Sequence, residues 1–175
     1  MCIRDRDMRY LAKNPALSPK LETVHEYFPD AKILYLVRNP LEAVPSFLSM
    51  MQFTWRVVGV PVQGPELRDF VLAMARHWYD YPLRYLDKRP KDSYVIVKYD
   101  DLVGDPSNTV KAIYRQTGLP MSSDFAEVLQ RETEKARAYR SRHDYSLATL
   151  GLEREQIVRE FHDIFERFGF DQEND

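Results

Sequence analysis

Residues 31–47 read AKILYLVRNPLEAVPSF. Ile33 to Val37 form an unbroken apolar run of β-formers, the pattern of a strand covered on both faces in a parallel sheet. Arg38 closes that run. Asn39 can cap a following helix, Pro40 suits its first position because no amide is needed there, and Glu42 stands where the returning carboxylate of a capping box belongs. A strand, an arginine and a capped helix in that order predict an anion site. The helix start offers backbone N–H groups and the positive end of its dipole, Arg38 a rigid fork of donors, and Ser46 a hydroxyl two turns on. A phosphate group is the expected occupant. Pro45 removes one backbone donor, so a bend just before Ser46 is expected, aiming its hydroxyl.

Upstream, the pattern predicts a strand over 8–12, stopped by Lys13, Asn14 and Pro15, then a helix from a Ser18 cap to about Phe28 with Leu21, Val24 and Phe28 at helical spacing. With the 31–37 strand this makes a β-α-β unit. Downstream, Gly64 and Pro65 precede a long amphipathic helix with Leu67, Phe70, Val71, Met74, Trp78 and Leu86 on its buried side and Pro82 as a kink. Residues 93–98, SYVIVK, read as a third strand ending at Tyr99, followed by the acidic loop DDLVGD and a helix capped by Asp105 with Pro106 at its first position. That helix ends at Gly118, and a charged helix follows over about 122–137. Residues 138–146 have no periodicity and read as a loop. A last helix over about 153–168 carries Ile157, Phe161, Ile164, Phe165 and Phe168 on one stripe and closes at Gly169.

Alternation of strands and helices predicts an α/β fold with a parallel sheet, in which ligands collect at the carboxyl ends of the strands. Lys13, Arg38 and Tyr99 are each expected there, two cations and one aromatic plate on a common rim. A phosphate-bearing nucleotide would use all three.

The bulk figures bound the alternatives. At 175 residues and 44% hydrophobic, residues 1–175 are long and apolar enough for one domain with a real core. A net charge of −2 gives no global field for nucleic acid or anionic membrane. The single cysteine, Cys2, excludes an internal disulfide framework and a cysteine-based metal site. No apolar run approaches the ~20 residues of a membrane span. The opening MCIRDRD is charged where a secretory leader is apolar, and it reads unlike the rest, as residues foreign to the native sequence. A cytoplasmic compartment is the expectation.

At this point the sequence resembles the sulfotransferase family that uses 3′-phosphoadenosine 5′-phosphosulfate (PAPS). LVRNPLEAVPS is similar to the family's 3′-phosphate motif, an arginine closing a strand and a serine eight positions later, here Arg38 and Ser46. KYDDLVGDP is similar to the segment whose tyrosine contacts the adenine, here Tyr99, and the stretches at 28–40 and 145–170 also resemble the family. The resemblance implies a three-layer, P-loop NTPase-like sulfotransferase fold, incomplete at the amino end. It further implies PAPS as sulfuryl donor, no metal, and a small-molecule, glycan or peptide acceptor with a hydroxyl or amine. Lys13, in AKNP, matches the lysine beside the transferred group, where an ammonium would stabilise charge developing on the bridging oxygen. Arg140 and Arg142 fall in a loop that often returns basic groups to the 3′-phosphate.

Two features depart from the family. The histidine that serves as base in the cytosolic small-molecule branch is replaced by Pro15, and none of the four histidines takes its place. The glycine-bearing loop that cradles the 5′-phosphosulfate is absent, so the chain is expected to be the carboxyl-terminal part of a longer enzyme. Two other classes compete. A small-molecule kinase would carry GxxxxGK[ST] and a magnesium ligand, and neither is marked. A non-catalytic nucleotide-binding or interaction module would keep the fold and lose the base.

Overall fold

The computed structural model of the chain describes residues 10–59, 64–137 and 147–171. A 3-10 turn over Pro15–Lys20 leads into helix α1, Leu21–Tyr27. Strand β1 is Ile33–Val37, helix α2 Pro40–Val57 and helix α3 Pro65–Leu86. Strand β2, Tyr94–Lys98, is followed by α4, Tyr99–Gly104, α5, Pro106–Thr117, and α6, Ser123–Arg137. The last helices are α7, Arg154–Glu160, and α8, His162–Phe168. Among the described residues the sheet is β1 and β2, paired in parallel with Ile33 opposite Tyr94 and Val37 opposite Lys98. The α2–α3 connection supplies the crossover that parallel pairing requires.

One face of this sheet is closed. Ile33, Tyr35 and Ile96 pack with Leu21, Leu86 and Tyr94, while Val37 joins the main core formed by Leu41, Val44 and Leu48 of α2, Leu67, Val71 and Leu83 of α3, and Ile157, Phe161, Ile164 and Phe165. Strand alternation turns Leu34, Leu36, Val95 and Val97 to the other face. There Val95 and Val97 are buried, but Leu34 and Leu36 are 44% and 46% exposed. Full covering of β1 is therefore corrected: burial alternates along it because no described element lies over Leu34 and Leu36.

The strand expected over 8–12 is not seen where the chain is described. Residues 10–14 have no regular structure, and Tyr10 and Leu11 are 73% and 90% exposed, with no strand paired to them among the described residues. Residues 8 and 9 lie outside the described residues, and the crossover β-α-β unit runs from β1 to β2 instead. The first helix is also shorter than its apolar spacing predicts. Pro15 and Pro19 lack amide donors, so the chain turns as a 3-10 segment capped by Asn14, whose side chain accepts from the Ala16 N–H at 3.1 Å. The acidic DDLVGD stretch folds into α4 rather than a loop, and its last turn is tied by Thr109 Oγ1 donating to the Asp101 carbonyl at 2.9 Å.

The stripe at 153–168 divides at Phe161, and Arg76 explains the division. Its guanidinium donates to the Glu160 carbonyl at 3.0 Å and to both oxygens of Asp163, at 2.6 and 2.7 Å. The Ile164 N–H, which would take Glu160 in a continuous helix, bonds Phe161 instead at 2.9 Å. The apolar residues of the stripe still face the core.

Candidate functional site

Arg38 leaves β1 at the carboxyl edge of the sheet, and three contacts fix it. Its carbonyl accepts from the Tyr79 hydroxyl at 2.7 Å, its Nε donates to Glu42 Oε2 at 2.7 Å, and its guanidinium carbon lies 5.0 Å from the centroid of the Tyr99 ring. Strand β2 ends one residue before Tyr99 just as β1 ends one residue before Arg38, so the parallel register brings the two together. Burial pushes the Tyr79 phenol well above its usual range, which keeps it protonated and donating. The two terminal guanidinium nitrogens of Arg38 have no partner among the described residues.

The start of α2 differs from the expected anion cradle. Asn39 is buried and caps the helix, accepting from the Leu41 N–H at 3.0 Å, and its backbone carbonyl takes the Glu42 and Ala43 N–H groups at 3.0 and 2.9 Å. Pro40 has no N–H, so the first-turn donors are all spent internally. The Glu42 carboxylate serves Arg38 rather than closing a capping box on Asn39. An anion here must be held by side chains and by the dipole, not by free amides. Helix α2 continues unbroken through Pro45, and Ser46 is half-buried on it with no hydrogen-bond partner among the described residues. Glu42 and Ser46 are four apart, so they share one face of α2 with Arg38 bonded above them.

The carboxyl end of the chain buttresses the same edge. Asn39 Nδ2 donates to the Asp171 carbonyl at 2.9 Å, Lys98 Nζ donates to the Phe168 carbonyl at 3.1 Å, and the Phe170 ring lies 5.3 Å from Lys98 Nζ. Lys98 is thereby committed to the fold. The carboxyl of Asp100, the residue after Tyr99, is held above the usual range, first by partial desolvation and then by the charge of Glu42.

Of the residues expected on the rim, Arg38 and Tyr99 meet, and Ser46 lies on the same helix face as Arg38's partner. Lys13 is exposed on the irregular segment before the 3-10 turn, with no polar or ring contact to either. Arg140 and Arg142 lie outside the described residues. Sequence reading missed Glu42 as a partner of Arg38, although four-residue spacing marks it. It also missed Tyr79 and Asp171, for which no local signal exists.

The sulfotransferase family profile matches residues 2–123. Over 173 residues the chain is 30% identical to the omega-hydroxy-beta-dihydromenaquinone-9 sulfotransferase Stf3 of Mycobacterium bovis, a match covering 93% of this chain and 41% of that protein. It is 24% identical over 120 residues to sulfotransferase 2B1 of Homo sapiens, covering 67% of this chain and 33% of that one. The crystal structure of sulfotransferase STF9 from Mycobacterium avium matches with a TM-score of 0.77 at 21% identity, covering 93% of this chain and 42% of that one. Sulfotransferase STF1 from Mycobacterium tuberculosis H37Rv matches at 0.67 and 24% identity, covering 92% and 41%. These structural likenesses establish a shared α/β fold. The chain spans about two fifths of the length of Stf3 and of STF9, 41% and 42%, and a third of sulfotransferase 2B1.

Proposed function

The chain belongs to the sulfotransferase family, and on that premise we propose that the whole protein transfers a sulfuryl group from PAPS to a hydroxyl on a largely apolar acceptor. The observation that carries this is the Arg38 fork: held at its carbonyl, its Nε and its flat face, it leaves two terminal nitrogens open beside the Ser46 face of α2. A 3′-phosphate suits that pair, since a guanidinium meets two phosphate oxygens at once and a serine hydroxyl donates to a third. Bound PAPS supplies the sulfuryl group, and its nucleotide leaves as adenosine 3′,5′-bisphosphate.

The chain's own residues have distinct parts in this reading. Arg38 and Ser46 hold the 3′-phosphate, and Tyr99, whose ring backs the guanidinium, borders the adenine. Lys13, exposed and with no partner among the described residues, would bring its ammonium to the oxygen that gains charge as the donor bond breaks. For the acceptor, the α2 face that begins at Glu42 and Ser46 continues as Met50, Phe53 and Val57, which are exposed at 53%, 66% and 68%. A wall that passes from ionic to apolar along one helix suits a hydroxyl carried on a hydrophobic body. The name of the relative Stf3 gives its acceptor as omega-hydroxy-beta-dihydromenaquinone-9. Pro15 stands where the histidine base of the family's cytosolic small-molecule branch would be.

The test is binding of adenosine 3′,5′-bisphosphate to the full-length protein by calorimetry. Arg38→Ala is expected to weaken it by on the order of 2 kcal/mol, about 30-fold. Unchanged affinity would remove the reading. Transfer of label from ³⁵S-PAPS to a polyprenyl alcohol tests the acceptor.

A further inference from the structure

We infer that Glu42 is a positioning residue that aims Arg38 at the anion, an assignment that rests on the 3′-phosphate reading above. A carboxylate beside an anion site carries an electrostatic cost, because it repels the ligand that the arginine attracts. Its geometry shows what offsets that cost. Glu42 takes only the Nε of Arg38, at 2.7 Å, and leaves both terminal nitrogens for a ligand.

Without Glu42 the guanidinium would still be tethered at its backbone by Tyr79 and could still rest on Tyr99. It would, however, rotate about its long stem, and an arginine carries about 2 kcal/mol of rotamer entropy to be lost on binding. The bond to Nε fixes the plane of the fork before the anion arrives. Glu42 is itself fixed, lying in the first turn of α2, where the helix dipole favours its charge and the buried Asn39–Leu41 cap sets the backbone. The Tyr99 ring, 5.0 Å from the guanidinium carbon, is a second contact that limits its movement. The alternative geometry, with Glu42 bridging the two terminal nitrogens, would compete with the ligand, and it is not the one observed.

The experiment measures adenosine 3′,5′-bisphosphate affinity for full-length wild type, Glu42→Ala, Glu42→Gln, Arg38→Ala and the Arg38→Ala/Glu42→Ala double variant, with thermal melting as a check on folding. Glu42→Ala is expected to bind about tenfold more weakly. Glu42→Gln, whose amide oxygen still accepts from Nε, is expected within about threefold of wild type. The double variant is expected to bind no more weakly than Arg38→Ala alone, a non-additivity that a merely structural role would not produce. If Glu42→Ala binds as wild type or tighter while Arg38→Ala is weak, Glu42 is a competitor and the inference is overturned. Additive losses overturn it as well. If Arg38→Ala itself binds normally, the 3′-phosphate reading has failed, a result separate from either of those.

Discussion

The hydroxyl of Tyr35 donates to the carbonyl of Trp78 at 2.7 Å. Four residues after Trp78 stands Pro82, which has no N–H to give, so this is the carbonyl that the proline leaves without a helical donor. A side chain from β1 fills the gap in α3. Burial pushes the Tyr35 phenol far above its usual range, so it stays protonated and donating at neutral pH. The contact also explains why α3 runs on from Pro65 to Leu86 with Pro82 inside it.

Tyr35→Phe is therefore expected to cost about 1–3 kcal/mol, the penalty of leaving a partly buried acceptor unpaired. Pro82→Ala restores an amide donor to the same carbonyl, and in that background the Tyr35→Phe loss should shrink toward zero. Urea unfolding of the four proteins in this cycle measures it. A Tyr35→Phe cost that is the same with proline or alanine at 82 would show that the tyrosine acts through packing alone.

The elements legible in the sequence are those set by local chemistry. Asn39–Pro40, Asp105–Pro106 and Gly118 mark helix ends that the structure places where they were read, because a cap is decided within a few residues. Arg38 and Tyr99 were legible as strand-end residues, and parallel pairing of β1 and β2 makes them neighbours. What could not be read is non-local. Nothing near Phe161 foretells that Arg76, 84 residues before Glu160, will take a helical carbonyl. Nor does the text around Pro40 reveal that the first-turn amides are spent internally and closed over by Asp171. Over the described residues 10–12 the expected strand does not form, because a β-rich pattern makes a strand only where a partner edge is available.

Two bidentate ion pairs give stability a dependence on pH in the acid range. Arg76 holds the Asp163 carboxyl below its usual range, and Arg167 does the same for Asp87, in each case mainly through the direct hydrogen bonds. A lowered folded-state value means that the stabilisation is complete above the unfolded carboxylate range, near pH 4, and is lost as pH falls through the lower folded value. The stability gap between wild type and Asp163→Asn is expected to be widest near neutrality and to close as pH falls below about 4. Denaturant midpoints across that range decide it, and a gap that does not change with pH would mean the pair contributes no charge-dependent stability.

The exposed apolar stripe on α2 separates acceptor recognition from donor recognition. Phe53 is 66% exposed and only lightly packed, so Phe53→Ser should alter stability by no more than about 0.5 kcal/mol. In the full-length protein it is expected to raise KM for a polyprenyl alcohol severalfold while leaving adenosine 3′,5′-bisphosphate affinity unchanged. Equal loss of both affinities would place Phe53 in the nucleotide site or in general packing rather than in an acceptor wall.

Asn39 has two bonds that a single substitution can part. Its Oδ1 caps α2 at Leu41, and its Nδ2 reaches across 132 residues of sequence to the Asp171 carbonyl at 2.9 Å. Aspartate is as good a helix cap as asparagine, so if capping were the whole role Asn39→Asp would be close to neutral. The buried position argues otherwise. A carboxylate there turns an oxygen toward the Asp171 carbonyl, exchanging a hydrogen bond for repulsion between two acceptors in a site shielded from water. Asn39→Asp is expected to cost about 2 kcal/mol or more and to weaken nucleotide binding, because the same cap sets the backbone that carries Arg38. Asn39→Ser, which keeps a cap but is too short to reach Asp171, should cost less. If the aspartate variant proves the more stable of the two, the tie between α2 and the carboxyl end contributes nothing to holding the site.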